Sequence, residues 1–279
     1  MKILYVKCNS ERAREFQLQT IIYENGGLKY VKKQALCNLA IPHLKKMKEN
    51  YDTLSSSILN PRIKLAKIIN EEDDSLTFEF VDGVSLERMF YDSNTLGADR
   101  TDKIIEIYME LLKTGFKTTV FNSSTMIDDV YKGVFGDFDY SELDGKICFD
   151  GISNIDLILS NIILNEKNLY LFDYEWVFEL NIPIDYIAFR NSHEYGEIFG
   201  KKHNALFAEM EKKFIGETVI KKNGFFNVQD NYMKTRLDIF QQNIDKDLQV
   251  KHWYDVAQSL RIKNRIKRIV KRISLQNAK

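Results

Sequence analysis

Apolar and polar positions at the start of the chain follow two periods in turn. Residues 3–7 (ILYVK), 17–23 (QLQTIIY) and 28–33 (LKYVKK) are short β-prone runs, and Glu24-Asn25-Gly26-Gly27 between the last two is a hairpin-turn signal. From Ile41 to Leu54 the period lengthens: Leu44, Met47, Tyr51 and Leu54 recur at helical spacing, with Pro42 acceptable in a first turn. Alternation then returns at 62–69 (RIKLAKII) and 75–81 (SLTFEFV), joined by the acidic turn Asn70-Glu71-Glu72-Asp73-Asp74. The predicted order is β-β-β-α-β-β.

Asp82-Gly83 breaks the last strand, and Ser85 is suited to cap a helix, so a lobe boundary is expected near residue 82. Residues 101–116 carry an amphipathic helical period, whereas the pattern assigns no clear elements to 118–150. Ile162-Ile163-Leu164 and Leu169-Tyr170-Leu171-Phe172, linked by the polar turn Asn165-Glu166-Lys167-Asn168, predict a small hairpin. From about Ile182 the chain is expected to be mainly helical. Together these predict an α+β chain with an antiparallel sheet and one helix at 1–82, a mainly helical unit at 83–259 and a terminal helix at 260–279.

Composition removes several classes of function. Apolar and aromatic residues make up 44% of the 279-residue chain, enough for a substantial core. No apolar run reaches the roughly 20 residues that a membrane-spanning helix needs. The first residues carry charge and offer no signal-peptide pattern, so a cytoplasmic protein is expected. Cys8, Cys37 and Cys148 are widely separated, and the four histidines lack metal-ligand spacing, so neither a disulfide framework nor a zinc site is predicted.

The informative stretch begins at Asn154-Ile155-Asp156, continues through Ser160-Asn161, and after the predicted hairpin reaches Phe172-Asp173-Tyr174-Glu175-Trp176. It resembles the catalytic and metal-binding loops of the protein-kinase-like superfamily: a D-x-x-x-x-N element, a short hairpin, then an aspartate after an apolar residue. The wording Asp173-Tyr174-Glu175-Trp176 is more similar to small-molecule kinases, such as aminoglycoside and choline phosphotransferases, than to protein kinases. The resemblance implies a two-lobed fold that binds ATP and Mg²⁺, with Asp156 as catalytic base and Asn161 and Asp173 as metal ligands. These residue types suit the chemistry, because Mg²⁺ takes oxygen ligands and a carboxylate must accept or orient the proton of the acceptor hydroxyl.

The N-terminal half supplies the other parts that the resemblance implies. Tyr30-Val31-Lys32-Lys33 is similar to the V-x-K strand whose lysine contacts phosphate, and period-2 alternation places Lys33 on the face of Val31, with Lys32 the alternative. Glu49, the only acidic residue between Lys33 and Asn50, is the expected partner of that lysine. In the segment Phe78 to Glu87, backbone groups at Glu79 and Val81 are expected to meet the adenine edge. The chain also departs from the family pattern. Residues 8–16 (CNSERAREF) replace the glycine-rich loop, leaving Ser10, Arg12 or backbone amides for any phosphate contact, and Asn154 stands where the family has histidine. After Trp176 the chain soon reaches Pro183 and Asp185, leaving no room for a long activation loop, which disfavours a folded protein substrate.

The formal net charge is zero, yet Arg261 to Arg272 holds seven basic residues and no acidic one, with Ile262, Ile266, Ile269 and Ile273 at helical spacing. Such a basic amphipathic helix suits the inner face of an anionic membrane, and equally suits packing against the protein body; nucleic acid is not an expected partner. The expectation is therefore an ATP- and Mg²⁺-dependent kinase acting on a hydroxyl of a sugar or small molecule, such as a glycolipid or cell-surface polysaccharide precursor. The alternative is an inactive kinase-like scaffold in a glycan-assembly complex.

Overall fold

The structure is a computed structural model and describes residues 1–9, 12–93, 98–195 and 205–214. The chain opens with β1 (Lys2–Cys8), β2 (Leu18–Asn25), β3 (Leu28–Ala35), helix α1 (Ile41–Ser57), β4 (Ile63–Leu65), β5 (Ile68–Glu72) and β6 (Ser75–Glu79). Five of these strands form an antiparallel sheet in the order β1-β2-β3-β6-β5. The expected hairpin closes between Asn25 and Leu28, with Gly26 at φ 60° and Gly27 at φ 79°. Left-handed backbone at both central positions matches the twist of the flanking strands, and glycine adopts it without steric cost.

Register assigns the faces of this sheet. Lys33 lies opposite Thr20 and Leu76, and Val31 opposite Ile22 and Phe78, so these side chains share one face. Leu18, Ala35, Leu76 and Phe78 on that face join Leu44, Met47 and Leu54 of α1 in the core. The helix forms where apolar residues recur at three- to four-residue spacing, and it runs three residues past Leu54. There Ser55 and Ser57 donate back to the carbonyls of Tyr51 and Leu54, and the chain turns extended at Ile58.

The strand expected at 62–69 is two strands in different sheets. β4 pairs in parallel with β12 (Asn168–Leu171), placing Ile63 opposite Leu169 and Leu65 opposite Leu171, whereas β5 pairs with β6. The crossing falls at Ala66, whose N–H donates to the Leu171 carbonyl at 2.9 Å. Asn70, Glu71 and Glu72, expected in a turn, are strand residues, and the turn is reduced to Asp73-Asp74.

Beyond β6 come β7 (Val84–Ser85), α2 (Leu86–Ser93), α3 (Ala98–Thr114), β8 (Thr118–Val120), α4 (Ser123–Met126), α5 (Asp129–Phe135), β9 (Ile147–Phe149), β10 (Ser153–Asn154), β11 (Ile162–Asn165), then β12, β13 (Val177–Phe178), α6 (Ile184–Tyr195) and α7 (Ala205–Phe214). The expected hairpin is present as β11 and β12, from Ile162 opposite Leu171 to Asn165 opposite Asn168, and a second sheet runs β4-β12-β11-β7. Gly83 feeds β7 into it at φ 145°, and a Cβ there would stand 2.6 Å from Leu164 O and from Ile163 Cγ2. Only glycine fits such an approach.

The stretch 118–150 consists of short elements whose buried aromatics, Phe121, Tyr131, Phe135, Tyr140 and Phe149, follow no single period. A single apolar cluster runs from Leu18 and Leu76 of the sheet to Phe207 and Phe214 of α7, joining both lobes. The architecture is α+β and two-lobed, with the element order of a protein-kinase-like fold. The expected terminal helix at 260–279 lies outside the described residues.

Candidate active site

Asp156 lies on a loop that is held by side chains from distant elements. Asn154, in place of the family's histidine, is buried, and its Oδ1 accepts the Asp156 N–H at 2.9 Å. Tyr108 of α3 donates its hydroxyl to the Leu157 carbonyl (2.8 Å), and Asn191 of α6 accepts the Leu159 N–H (3.0 Å) while donating to the Tyr108 oxygen (2.6 Å). Asn161 closes the loop: its side-chain amide donates to the Asp156 carbonyl at 3.0 Å, and its backbone carbonyl accepts the Phe172 N–H at 3.1 Å. That second bond ties Asn161 to the residue before Asp173. Asp173 itself stands at φ 63°, a left-handed backbone that a non-glycine residue adopts at some cost and that clusters at functional sites.

Across the cleft, Lys33 pairs with both Asp173 and Glu175. Glu175 is almost fully buried, pairs also with Arg12 from the β1–β2 connection, and has His43 Nε2 3.5 Å from Oε2. Asn50 of α1 donates to the carbonyls of Tyr174 (3.0 Å) and Glu175 (3.2 Å), fixing this segment against the helix. Tyr174 turns into the core, where its hydroxyl donates to the Ala66 carbonyl at 2.9 Å. Trp176 packs on Phe16 and His43 and lies beneath the Arg12 guanidinium, 5.8 Å from the ring centre.

The expected Lys33–Glu49 pair is not what the structure holds. Glu49 points out from α1 and meets Lys46 at 3.1 Å, while the carboxylate at Lys33 comes from Glu175, 142 residues along the chain. The reason is the helical face: Glu49 precedes Asn50, and it is Asn50 with Met47 and Leu54 that faces inward. Lys32 lies on the opposite face of the sheet, bonded to Glu72 at 2.7 Å.

Burial disfavours charge on every member of this cluster, so the ion pairs must outweigh it. For Lys33 burial pulls the pKa down, but Asp173 and Glu175 prevail and hold it above the ordinary lysine value. Burial would raise the Glu175 pKa, yet Lys33, then His43 and Arg12, hold it well below the usual carboxylate range. Asp156 goes the other way. Burial, with Asp173 and Glu175 adding to it, pushes its pKa up to about 6 against the pull of Arg190 and Arg12. Arg190 of α6 contacts Asp156 Oδ1 at 3.1 Å, and its other arm lies 3.7 Å from Glu211 of α7. A carboxylate ionised near neutral pH but less acidic than usual suits a general base.

Glu79 ends β6 opposite Tyr30. Its N–H donates to the Lys67 carbonyl (2.9 Å), and its carboxylate accepts the Lys67 N–H (3.0 Å). Val81 follows, half-buried. The Glu79 side chain and N–H are thus committed to Lys67 in the β4–β5 link, so what this segment can offer a nucleotide is the rest of its backbone.

The donor set fits Mg²⁺ and a polyphosphate. Among the described residues no three His, Cys, Asp or Glu side chains gather into a metal cage. Mg²⁺ does not require one, since it usually takes one or two carboxylates and completes its shell with phosphate oxygens and water. Asp173 and Asn161 would supply the protein oxygens, and Lys33 a phosphate-binding charge. Two cavities do not include Lys33, Asn161 or Asp173: one of about 340 Å³ beside Tyr51 and Tyr170, which Glu79 also lines, and one of about 440 Å³ on the outer face of the sheet. They lack this chemistry.

No family model and no curated protein matches the chain. Solved structures that it resembles include the aminoglycoside phosphotransferase APH(4)-Ia, 11% identical over 88% of this chain and 95% of that one, with a TM-score of 0.43. The ADP-bound aminoglycoside phosphotransferase APH(2'')-Ib is 13% identical over 88% and 89% of the two chains, with a TM-score of 0.38. Macrolide 2'-phosphotransferase MphH from Brachybacterium faecium is 6% identical over 83% and 88%, with a TM-score of 0.36. The overlap is loose, and these likenesses carry no argument about the site.

Three residues at the site carried no local signal, and Glu175, part of the Asp173–Trp176 motif, carried none for its role. Glu175, His43, Asn191 and Arg190 become meaningful only when α1, α6 and the loops are brought together. Arg12 was visible as the charged occupant of the glycine-rich position.

Proposed function

We propose that the chain is an ATP- and Mg²⁺-dependent phosphotransferase acting on a hydroxyl of a small molecule. The observation that carries this reading is the Lys33–Asp173 pair between the sheet and the loops, with Asn161 tied to the residue before Asp173 and the half-buried Asp156 close enough to Asp173 to feel its charge. In this reading Asp173 and Asn161 hold Mg²⁺, which offsets phosphate charge when bound. Lys33 orients the phosphates, the backbone of Glu79 to Val81 meets the adenine, and Asp156 takes or orients the proton of the acceptor hydroxyl. Phosphoryl transfer is the reaction named for the matched structures, but the proposal stands on these residues. A sugar acceptor, such as a glycolipid or polysaccharide precursor, belongs to this proposal through the basic segment at 260–279, which would hold the enzyme on an anionic inner membrane surface. Equal pelleting with anionic liposomes, with and without residues 260–279, would remove that part.

Asn154 and the missing glycine-rich loop are the grounds for the alternative, an inactive scaffold. The bond from Asn154 to the Asp156 N–H shows the loop still anchored without the family's histidine, which favours the enzyme. The deciding assay is Mg²⁺-dependent ATP turnover in wild type and Asp156→Ala. Turnover lost by about 10²–10⁴-fold with ATP binding retained is expected of a general base; ATP binding without any turnover in wild type would establish the scaffold.

A further inference from the structure

The nucleotide-covering connection between β1 and β2 carries an arginine where a glycine-rich loop would offer backbone amides. Arg12 is not a loose surface residue. Its carbonyl accepts a hydrogen bond from the buried Gln17 amide at 2.8 Å, its N–H faces the Asn9 carbonyl at 3.4 Å, and its guanidinium is flanked by the Trp176 ring. The head reaches Glu175 through Nη1 and stands close enough to Asp173 and Asp156 for both to raise its pKa, against burial. It therefore meets Glu175, the same carboxylate that shares Lys33 with the candidate metal ligand Asp173.

Charge accounting gives this position a purpose. Lys33 is shared between Asp173 and Glu175, so turning it toward a phosphate would leave the buried Glu175 in need of another cation. Arg12 already contacts Glu175 with one nitrogen, and a guanidinium carries five N–H donors in a planar fork, enough to keep that contact and also bind a phosphate oxygen. We propose that Arg12 is a second phosphate-binding cation of the nucleotide site, reaching the triphosphate from the β1–β2 connection while it retains Glu175. This rests on the ATP reading above and adds to it a residue that takes over the work of the missing glycine loop.

The test is calorimetric titration of the full chain with Mg·ATP and, separately, with adenosine. Arg12→Ala is expected to weaken Mg·ATP tenfold or more, leave adenosine binding unchanged, and be partly rescued by Arg12→Lys. The loss should persist in a Glu175→Gln background, because a direct phosphate contact does not depend on that carboxylate. Unchanged Mg·ATP affinity in Arg12→Ala, or a loss that vanishes in the Glu175→Gln background, would overturn the proposal by making Arg12 a support for Glu175 alone. Wild type that binds no Mg·ATP would instead overturn the nucleotide reading itself. Should Arg12→Ala fail to fold, Arg12→Gln, which keeps a hydrogen bond to Glu175, gives the same comparison.

Discussion

The N-terminal sheet and the loops from Asn154 to Trp176 sit against one another but are held by different means. The sheet is fastened by its own ladders, by a glycine turn and by one apolar face packed on α1, all within the first 79 residues. The loops have few ladders of their own. They are held by buried polar side chains from elsewhere: Asn50 from α1, Tyr108 from α3, Asn191 and Arg190 from α6, and Lys33 and Arg12 from the sheet side. Apolar packing tolerates small adjustments, whereas a buried polar network is costly when half satisfied and well defined when complete. The catalytic region thus gains fixed geometry by depending on many partners.

The largest expected effect comes from breaking the loop's densest contact. Glu175→Leu leaves Lys33 and Arg12 as buried cations without that carboxylate, and should cost about 3–5 kcal/mol of stability, read as a drop in denaturation midpoint. A variant as stable as wild type would mean that the cluster is not a structural support.

A paired experiment sharpens the contrast. Leu76→Ala in the sheet face should cost about 2–5 kcal/mol by opening a cavity, with turnover kept at temperatures where the protein stays folded. Asn191→Ala should cost about 1–3 kcal/mol through unsatisfied groups and also lower kcat, because the Asp156 loop loses its anchor. Equal kcat in the two variants would erase the distinction.

The pH dependence separates two groups within the loops. Asp156, with its pKa raised to about 6, must lose a proton to act, so kcat/KM should fall as the pH drops below about 6, tenfold per unit. The same shift makes folding less favourable as pH rises from the ordinary aspartate range through 6, since the folded state holds that proton more tightly. Glu175 runs oppositely: its depressed pKa contributes stability above the ordinary glutamate value, lost as the solution is acidified. The smallest effect belongs to the sheet's outer face, where Lys32→Gln removes only the partly exposed pair with Glu72 and should change stability by under about 1 kcal/mol.

The same contrast explains what the sequence could show. The hairpin at Gly26-Gly27, helix α1, the β11–β12 hairpin and the spacing from Asp156 through Asn161 to Asp173 are local patterns, and each was readable from neighbours in the chain. The division of 62–69 was not, because apolar residues at 63, 65, 66, 68 and 69 suit either sheet, and the choice is made by the Leu171 carbonyl more than a hundred residues away. Glu49 is the only acidic residue between Lys33 and Asn50, but the carboxylates that Lys33 meets are Asp173 and, two residues on, Glu175. Long-range polar partners such as Asn191 leave no periodic trace at all.

The account's central claim is that Lys33, Asn161 and Asp173 form a Mg²⁺-dependent nucleotide site. The most direct measurement is thermal stability with and without Mg·ATP for wild type and Asp173→Asn. Ligand at a hundredfold over Kd should add about 2.7 kcal/mol to wild type, only when Mg²⁺ is present, and should add little to the variant. No rise in wild type, or an equal rise in both proteins, would contradict the claim.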